Sequence, residues 1–281
     1  MGHHVSGSDR VTSGEIERLQ GLGLKFSSPH TRDAVSGVEA VVYSSAIKAD
    51  NVALVEAERI GVPCLRRAEC LAAILHTRKG VLVAGTHGKT TTSAMCAHVL
   101  NNGGAAVSHY VGAEIPVLGA NAHWDEGSEY LVAEGDESDG TLELYRPTYA
   151  VVLNIEEEHL DYYEGLQEIV AVFRRLLEQT SGKVIYCRED PVAHELCKKY
   201  EGGLSYGWCD ADYTAANVVE GRGVIAFTVA RRGEEMGRVE LGIPGRHNVL
   251  NALAAIALAD DLQVDFSHVT RALSSFAGAK R

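Results

Sequence analysis

Val81-Leu82-Val83-Ala84-Gly85-Thr86-His87-Gly88-Lys89-Thr90-Thr91-Thr92 is the stretch that decides the fold. Four apolar residues make a buried strand. A turn framed by two glycines follows, and then a helix runs from Thr91 to Asn102 until Gly103-Gly104 stops it. Strand, glycine turn, Lys-Thr and helix together form a cradle for phosphate. A phosphate needs several N–H donors converging on it. Glycine lets the backbone curl close enough, and the helix adds its positive end. Lys89 is placed to reach the β- and γ-phosphates, and the Thr90 hydroxyl to meet Mg²⁺. The general pattern GxxxxGK[ST] has glycine where Val83 stands, so the match is to a variant. The competing reading is a plain strand–helix turn with a chance lysine. The apolar strand before the turn and the stopped helix after it favour the phosphate site. Its candidate residues are Gly85, Thr86, His87, Gly88, Lys89, Thr90 and Thr91.

Upstream, residues 1–77 alternate strand and helix. Val38–Tyr43 reads as a strand ending in the small loop Ser44-Ser45-Ala46-Ile47. Val52–Ile60 has helical spacing and closes at Gly61, Val62–Leu65 is a second strand, and Ala68–Leu75 is a second helix. That alternation implies a parallel sheet. A dinucleotide-type unit should open with a strand and a glycine-rich turn, whereas this chain opens at what reads as the second strand. The polar joint His76-Thr77-Arg78-Lys79 then divides residues 1–77 from a second domain, 78–281. Within it, Tyr130–Ala133, Tyr149–Ile155 and Val184–Tyr186 are buried-type strands. Leu166, Ile169, Val170, Phe173, Leu176 and Leu177 form a core stripe at helical spacing. Residues 204–243 alternate with glycines and read as an antiparallel add-on. Two helices, about 247–260 and 266–276, finish the chain. The fold class is therefore α/β: an incomplete Rossmann-like N-terminal domain and a central P-loop-type parallel sheet domain with a small antiparallel add-on.

Composition limits the function. The 281 residues include 26 basic and 38 acidic side chains, a net charge of -12 with no basic block. Nucleic-acid binding by phosphate neutralisation is excluded on that ground. A nucleotide can still bind, because backbone N–H groups supply the donors. Six cysteines show no CxxC pair or metal spacing, as expected of reduced thiols in the cytoplasm. No apolar run approaches a membrane span, and residues 1–9 read as the edge of a folded domain.

Four segments in order resemble the Mur ligases. They are Ala84–Thr92, Ala133-Glu134-Gly135-Asp136-Glu137-Ser138-Asp139, Asn154-Ile155-Glu156-Glu157-Glu158-His159-Leu160-Asp161, and Pro244-Gly245-Arg246-His247-Asn248-Val249-Leu250-Asn251. The end, Phe276-Ala277-Gly278-Ala279-Lys280-Arg281, is similar to the family's FxGxxRR, cut one residue short. Val5–Asp9 and Ser44–Ile47 resemble its UDP-sugar segments. Together these span essentially the whole chain, and their acidic segment is most similar to the branch that adds L-alanine to UDP-N-acetylmuramate.

The resemblance implies an ATP-dependent ligase of peptidoglycan precursor synthesis, working through an acyl phosphate with Mg²⁺. It assigns Lys89, Glu134 and His159 to catalysis, and Thr90, Glu134 and His159 to metal. Glu134 and His159 both follow parallel strands, where α/β sheets place ligands. A carboxylate and an imidazole could share a second Mg²⁺, although that ion prefers oxygen; a lone histidine would otherwise read as a satisfied loop residue. Asn248 and Asn251, three apart on one helix face, are assigned to adenine; helix capping is the competing reading for Asn248. Ser8, Asp9, Ser44, Ser45, Ser138 and Arg246 are assigned to the UDP-sugar. Glu158 departs from the family's aspartate before the histidine. The family's first strand and its C-terminal amino-acid-binding domain are missing from these 281 residues, so the chain is expected to bind ATP weakly and to ligate poorly or not at all. The alternatives are a ligase that recycles ready-made peptide onto UDP-muramate, whose acidic segment usually carries Tyr where Ser138 stands, and a catalytically silent ATP-binding module.

Overall fold

The computed structural model describes residues 2–278, so Ala279, Lys280 and Arg281 of the end motif lie outside the described residues. The first elements are β1 (Ser6–Ser8), α1 (Gly14–Gly21), β2 (Lys25–Ser27), β3 (Val41–Tyr43), α2 (Val52–Ile60), β4 (Cys64–Arg66) and α3 (Arg67–Leu75). Two compact units part between Ala73 and Ile74, within α3. Local chemistry sets the helix ends. The Asn51 side chain accepts from Ala53 N at 2.9 Å to start α2, and Gly61, in the left-handed region at φ 76°, ends it.

In the first unit β1 pairs with β2 and β3 with β4, all parallel, as α/β alternation requires. The single Rossmann-like sheet expected there is instead two separate two-stranded sheets. In a doubly wound order 3-2-1-4-5 the first strand lies between the second and the fourth, and among the described residues no strand takes that place. The core is correspondingly small, centred on Val35, Ala53 and Ala57.

The second unit is built on one ten-stranded sheet. Its elements are β5 (Lys79–Ala84), α4 (Lys89–Asn102), β6 (Val107–Tyr110), β7 (Ala122–His123), β8 (Tyr130–Glu134), β9 (Tyr149–Val152), α5 (Leu166–Gln179), β10 (Lys183–Cys187), α6 (Pro191–Cys197), β11 (Leu204–Gly207), β12 (Tyr213–Glu220), β13 (Ile225–Arg231), β14 (Glu234–Leu241), α7 (Arg246–Asp261) and α8 (Phe266–Ser275). The strand order is β14-β13-β12-β11-β10-β9-β5-β8-β6-β7. From β6 to β12 the neighbours are parallel, while the pairs β6–β7, β12–β13 and β13–β14 are antiparallel. Two expectations change here. The antiparallel segment is the continuation of the central sheet: β12 joins β11 through Tyr206↔Tyr213 and Gly207↔Thr214, and Ser205 N and Oγ both donate to Asp212 Oδ2 at 2.9 Å across that junction. The core stripe of α5 is Ile169, Val172, Phe173, Leu176 and Leu177, the i, i+3, i+4, i+7, i+8 set. Leu166 and Val170 line a groove shared with α6.

Helix α4, which follows the phosphate loop, is buried from Thr92 to Leu100 and packs against α7 and α8. Such a helix cannot be amphipathic, which explains its run of Thr, Ser, Ala and Cys. His98 fastens it: Nε2 lies 3.1 Å from both Ala272 O and Ser275 Oγ on α8, and the Asn102 amide lies 3.3 Å from Nδ1. The chain goes from β5 to β6 and β8 on one side, then crosses to β9 on the other. That reversal makes a crevice at the C-terminal ends of β8, β5 and β9, the position where open α/β sheets bind ligands.

Candidate nucleotide site

The loop between β5 and α4 is shaped by two glycines. Gly85 has φ 146° and Gly88 has φ 86°, conformations that L side chains rarely adopt. A Cβ on Gly85 would stand 3.0 Å from the Asn154 backbone, and one on Gly88 would stand 3.0 Å from Asn251 Oδ1. Asn154, in the loop after β9, grips the turn on both sides of one peptide. His87 N donates to Asn154 Oδ1 at 2.7 Å, and Asn154 Nδ2 donates to His87 O at 3.1 Å. Thr86 N donates to Asn154 O at 3.1 Å, and the Thr86 hydroxyl accepts from Glu156 N at 2.9 Å. The backbone donors of Thr86 and His87 are therefore engaged by the β9 loop. The N–H groups without an intrahelical partner are those at the start of α4, Gly88 to Thr91, and these are the ones an anion can use. The exposed His87 imidazole lies 3.8 Å from Glu156 and 3.6 Å from Glu158, so the variant Glu158 has a partner in the loop itself.

Lys89 turns back over the cradle. Its Nζ donates to Gly85 O at 2.6 Å, Thr86 O at 3.1 Å and Glu137 Oε1 at 2.9 Å. Thr90 Oγ1 donates to Glu134, whose two oxygens lie 3.1 and 2.9 Å away, and Gly112 N donates to Glu134 Oε2 at 2.8 Å. His159 sits at φ 56°, a left-handed conformation uncommon for side-chain-bearing residues. Its Nε2 is 3.4 Å from Glu137 Oε1. The acidic groups thus form two stations. Glu134 bonds Thr90, while Glu137 bonds Lys89 and lies beside His159. β8 and β9 flank β5 on opposite sides, and Glu137, three residues past the end of β8, lies between Lys89 and His159.

Glu137, which the sequence does not single out within its acidic segment, is the most enclosed acid of the site, its side chain 3% exposed. Burial pushes its carboxyl up, against the pull of the Lys89 ammonium. Tyr163 holds its turn, donating to Glu137 O and accepting from Gly140 N at 3.0 Å. Burial pushes the Tyr163 phenol up to about 12. Glu137 lies inside the acidic segment 133–139, whereas Tyr163 carries no sequence signal.

The donor set at Thr90 and Glu134 fits Mg²⁺, a hard cation that takes carboxylate and hydroxyl oxygens and keeps other positions for phosphate and water. Among the described residues no group of three or more His, Cys, Asp and Glu side chains is arranged to hold a metal by itself, and a phosphate-completed Mg²⁺ site requires none.

The other assigned residues fall into separate environments. Asn248 is buried, donating from Nδ2 to Pro244 O at 2.7 Å and accepting from Asn251 Nδ2 at 3.2 Å. Its amide is held within the first turn of α7, whose N-cap is Gly245 with no side-chain capping bond, so Asn248 is not the cap; Asn251 packs against the phosphate loop at Gly88. The Arg246 guanidinium stacks 4.4 Å from the Trp208 ring centroid. Ser138 N donates to Asp136 Oδ1 at 3.0 Å within the acidic turn. In the first unit, Ser8 Oγ lies 2.8 Å from His30 Nδ1, and Asp9 Oδ1 accepts from Arg10 N and Val11 N at the end of β1. Ser44 and Ser45 form the turn after β3, where Ile47 N donates to Ser44 O at 3.0 Å.

A sheet crevice carrying a glycine-framed Lys-Thr turn at a helix start, with strand-end carboxylates beside it, defines a phosphate-loop α/β protein. More narrowly, the chain belongs to the Mur ligase family: residues 83–259 match the Mur ligase middle domain, and residues 1–79 match the Mur ligase family catalytic domain. It is 41% identical to UDP-N-acetylmuramate–L-alanine ligases from Desulforamulus reducens and Pelotomaculum thermopropionicum, with all of this chain and 62% of each relative covered. The chain therefore spans about three fifths of the length of these curated relatives. The crystal structure of UDP-N-acetylmuramate–alanine ligase MurC from Thermotoga maritima superposes with a TM-score of 0.88 at 30% identity, covering 99% of this chain and 64% of that one. The UDP-N-acetylmuramate:L-alanyl-gamma-D-glutamyl-meso-diaminopimelate ligase of Neisseria meningitides gives 0.86 at 27% identity, covering 99% and 91%.

Proposed function

We propose that this chain carries the nucleotide-binding part of an ATP-dependent ligase that joins L-alanine to UDP-N-acetylmuramate in peptidoglycan precursor synthesis. The observation that carries the reading is the meeting of Lys89, Thr90, Glu134, Glu137 and His159 at the crevice beside β5, in a chain akin to alanine-adding ligases over its whole length. In this reaction the sugar's carboxylate attacks the γ-phosphorus, ADP leaves, and an acyl phosphate forms. The alanine amine then attacks the acyl carbon, the amide bond forms, phosphate departs and the amine loses a proton.

The chain's own residues meet two demands. The helix-start N–H groups and Lys89 stabilise charge on the transferred phosphoryl group. Thr90 and Glu134 would hold Mg²⁺, which lowers the repulsion between phosphate oxygens and the incoming carboxylate. His159 borders the same space from the β9 loop. The work belongs to the cytoplasm, where ATP is available and six free thiols stay reduced; among the described residues no helix is long and apolar enough to cross a membrane.

Protein expressed from its whole natural reading frame should release phosphate from ATP only when UDP-N-acetylmuramate and L-alanine are both present. Lys89→Ala should abolish that release with the circular dichroism spectrum unchanged. Phosphate release independent of the UDP-sugar would point to a plain ATPase, and release that requires the peptide in place of alanine would assign the peptide-adding reaction.

A further inference from the structure

Lys89 has three ammonium donors, and three acceptors engage them: Gly85 O at 2.6 Å, Thr86 O at 3.1 Å and Glu137 Oε1 at 2.9 Å. The two carbonyls belong to the phosphate loop and travel with it. Glu137 is different. It is an anion supplied from beyond β8, almost fully enclosed, on a turn that Tyr163 fastens through the Glu137 carbonyl. A polyphosphate entering the cradle needs a donor from the same ammonium and meets the Glu137 charge at close range, where little water screens it.

We propose that Glu137 is a positioning residue that holds Lys89 over the loop until nucleotide arrives and then yields it, so that nucleotide binding is an exchange of one anion for another at Nζ. The proposal rests on the ATP reading of this site. Two further observations support it. Among the described residues Glu137 Oε2 is buried with no hydrogen-bond partner, and an unsatisfied buried polar atom calls for an explanation, of which a role at a functional site is one. Glu137 Oε1 also lies 3.4 Å from His159 Nε2, so the carboxylate keeps a neighbour when the lysine leaves.

The consequence runs against the usual result of altering an enclosed side chain in a cleft: removing the Glu137 charge strengthens nucleotide binding, and does so only through Lys89. Isothermal titration of the intact protein with a non-hydrolysable ATP analogue and Mg²⁺ tests this. Glu137→Gln should lower the Kd about fivefold, a gain of roughly 1 kcal/mol. Glu137→Asp, which keeps the charge, should stay within about twofold of the native value. Lys89→Met and the double variant Lys89→Met/Glu137→Gln should bind equally, and AMP, which lacks the β- and γ-phosphates, should bind native protein and Glu137→Gln alike. In turnover, Glu137→Gln should show a lower KM for ATP with no rise in kcat. Should Glu137→Gln fail to fold, the uncharged and similarly sized Glu137→Met replaces it in the same series. Unchanged or weaker binding by the uncharged variant overturns the proposal, as does tightening that persists without Lys89. A native protein that binds no analogue at all would overturn the ATP reading and this proposal with it.

Discussion

At the residue scale, the phosphate loop depends on a side chain outside it. Asn154 closes a two-way amide clasp on the His87 peptide, at 2.7 and 3.1 Å, and Gly85 packs so close to its backbone that a Cβ would not fit comfortably. Asn154→Ala removes the clasp and leaves the Thr86 N to Asn154 O bond. The loop then samples more conformations, and ordering them falls on the nucleotide. We expect the Kd for the ATP analogue to rise about tenfold, in line with 1–2 kcal/mol for two lost hydrogen bonds, while the melting temperature changes little because His87 is exposed. Calorimetry on folded variant checks this, and an unaltered Kd would show that the loop holds its shape without the clasp. Asn154→Asp should be worse, since it sets a carboxylate against the His87 carbonyl. The contrast with Lys89 explains what could be read at this scale. Lys89 and Thr90 belong to the glycine turn and helix start, so spacing announces them, whereas Glu134 is assigned by the family resemblance at a strand end. Glu137 and Asn154 act on partners 48 and 67 residues away, and only the strand order makes them neighbours.

At the element scale, α4 ties the loop to the rest of the core, and His98 is its fastening to α8. The imidazole faces Ala272 O, Ser275 Oγ, Asn102 on its own helix and the Phe276 ring at 6.0 Å. Burial holds its pKa below the ordinary histidine value, and the Ala272 carbonyl only partly offsets this. The folded protein therefore favours neutral His98 more than the unfolded chain does. That stabilisation is complete above about pH 6.5, the unfolded value, and is lost as pH falls through the lowered native value. Urea midpoints measured from pH 8 to pH 5 should fall for native protein and fall less for His98→Phe. At pH 8 the substitution should cost only about 1 kcal/mol, because Asn102 and Ser275 keep backbone partners. Equal slopes for both proteins would assign the acid sensitivity elsewhere, for instance to the buried His109, whose pKa burial also lowers. Elements were legible in the sequence where caps or glycines marked them: α2 falls on the expected residues 52–60 and β5 includes the expected strand 81–84. The strand at 107–110, with Ser and His in buried positions, and the short helix 191–197 carry no apolar pattern, so the sequence does not announce them.

At the scale of the whole molecule, the two units differ in how well they bury themselves. The unit beginning at Ile74 has one continuous sheet with helices packed along it and a core running from Val81 to Phe276. The unit ending at Ala73 has two two-stranded sheets and a core around Val35, Ala53 and Ala57. It also leaves Val5, Val11, Leu22, Val42, Val52, Val55, Ile60 and Leu65 exposed, whereas Leu160, Tyr162 and Val219 are the large apolar residues exposed in the longer unit among the described residues. A unit of about 70 residues has little margin even when well packed, and short two-stranded sheets add little stability of their own. Stability should therefore be uneven along the chain. Amides of β1 to β4 and α2 should exchange with deuterium at denaturant concentrations where those of β5, β8, β9 and α4 remain protected, and guanidinium unfolding should show an early step followed by the main one. Lys89→Ala should leave both steps in place, because that side chain serves the ligand cradle and not the sheet core. A single transition, with β3 and β5 losing protection together, would mean that the short strands draw on stability beyond what their own buried residues supply.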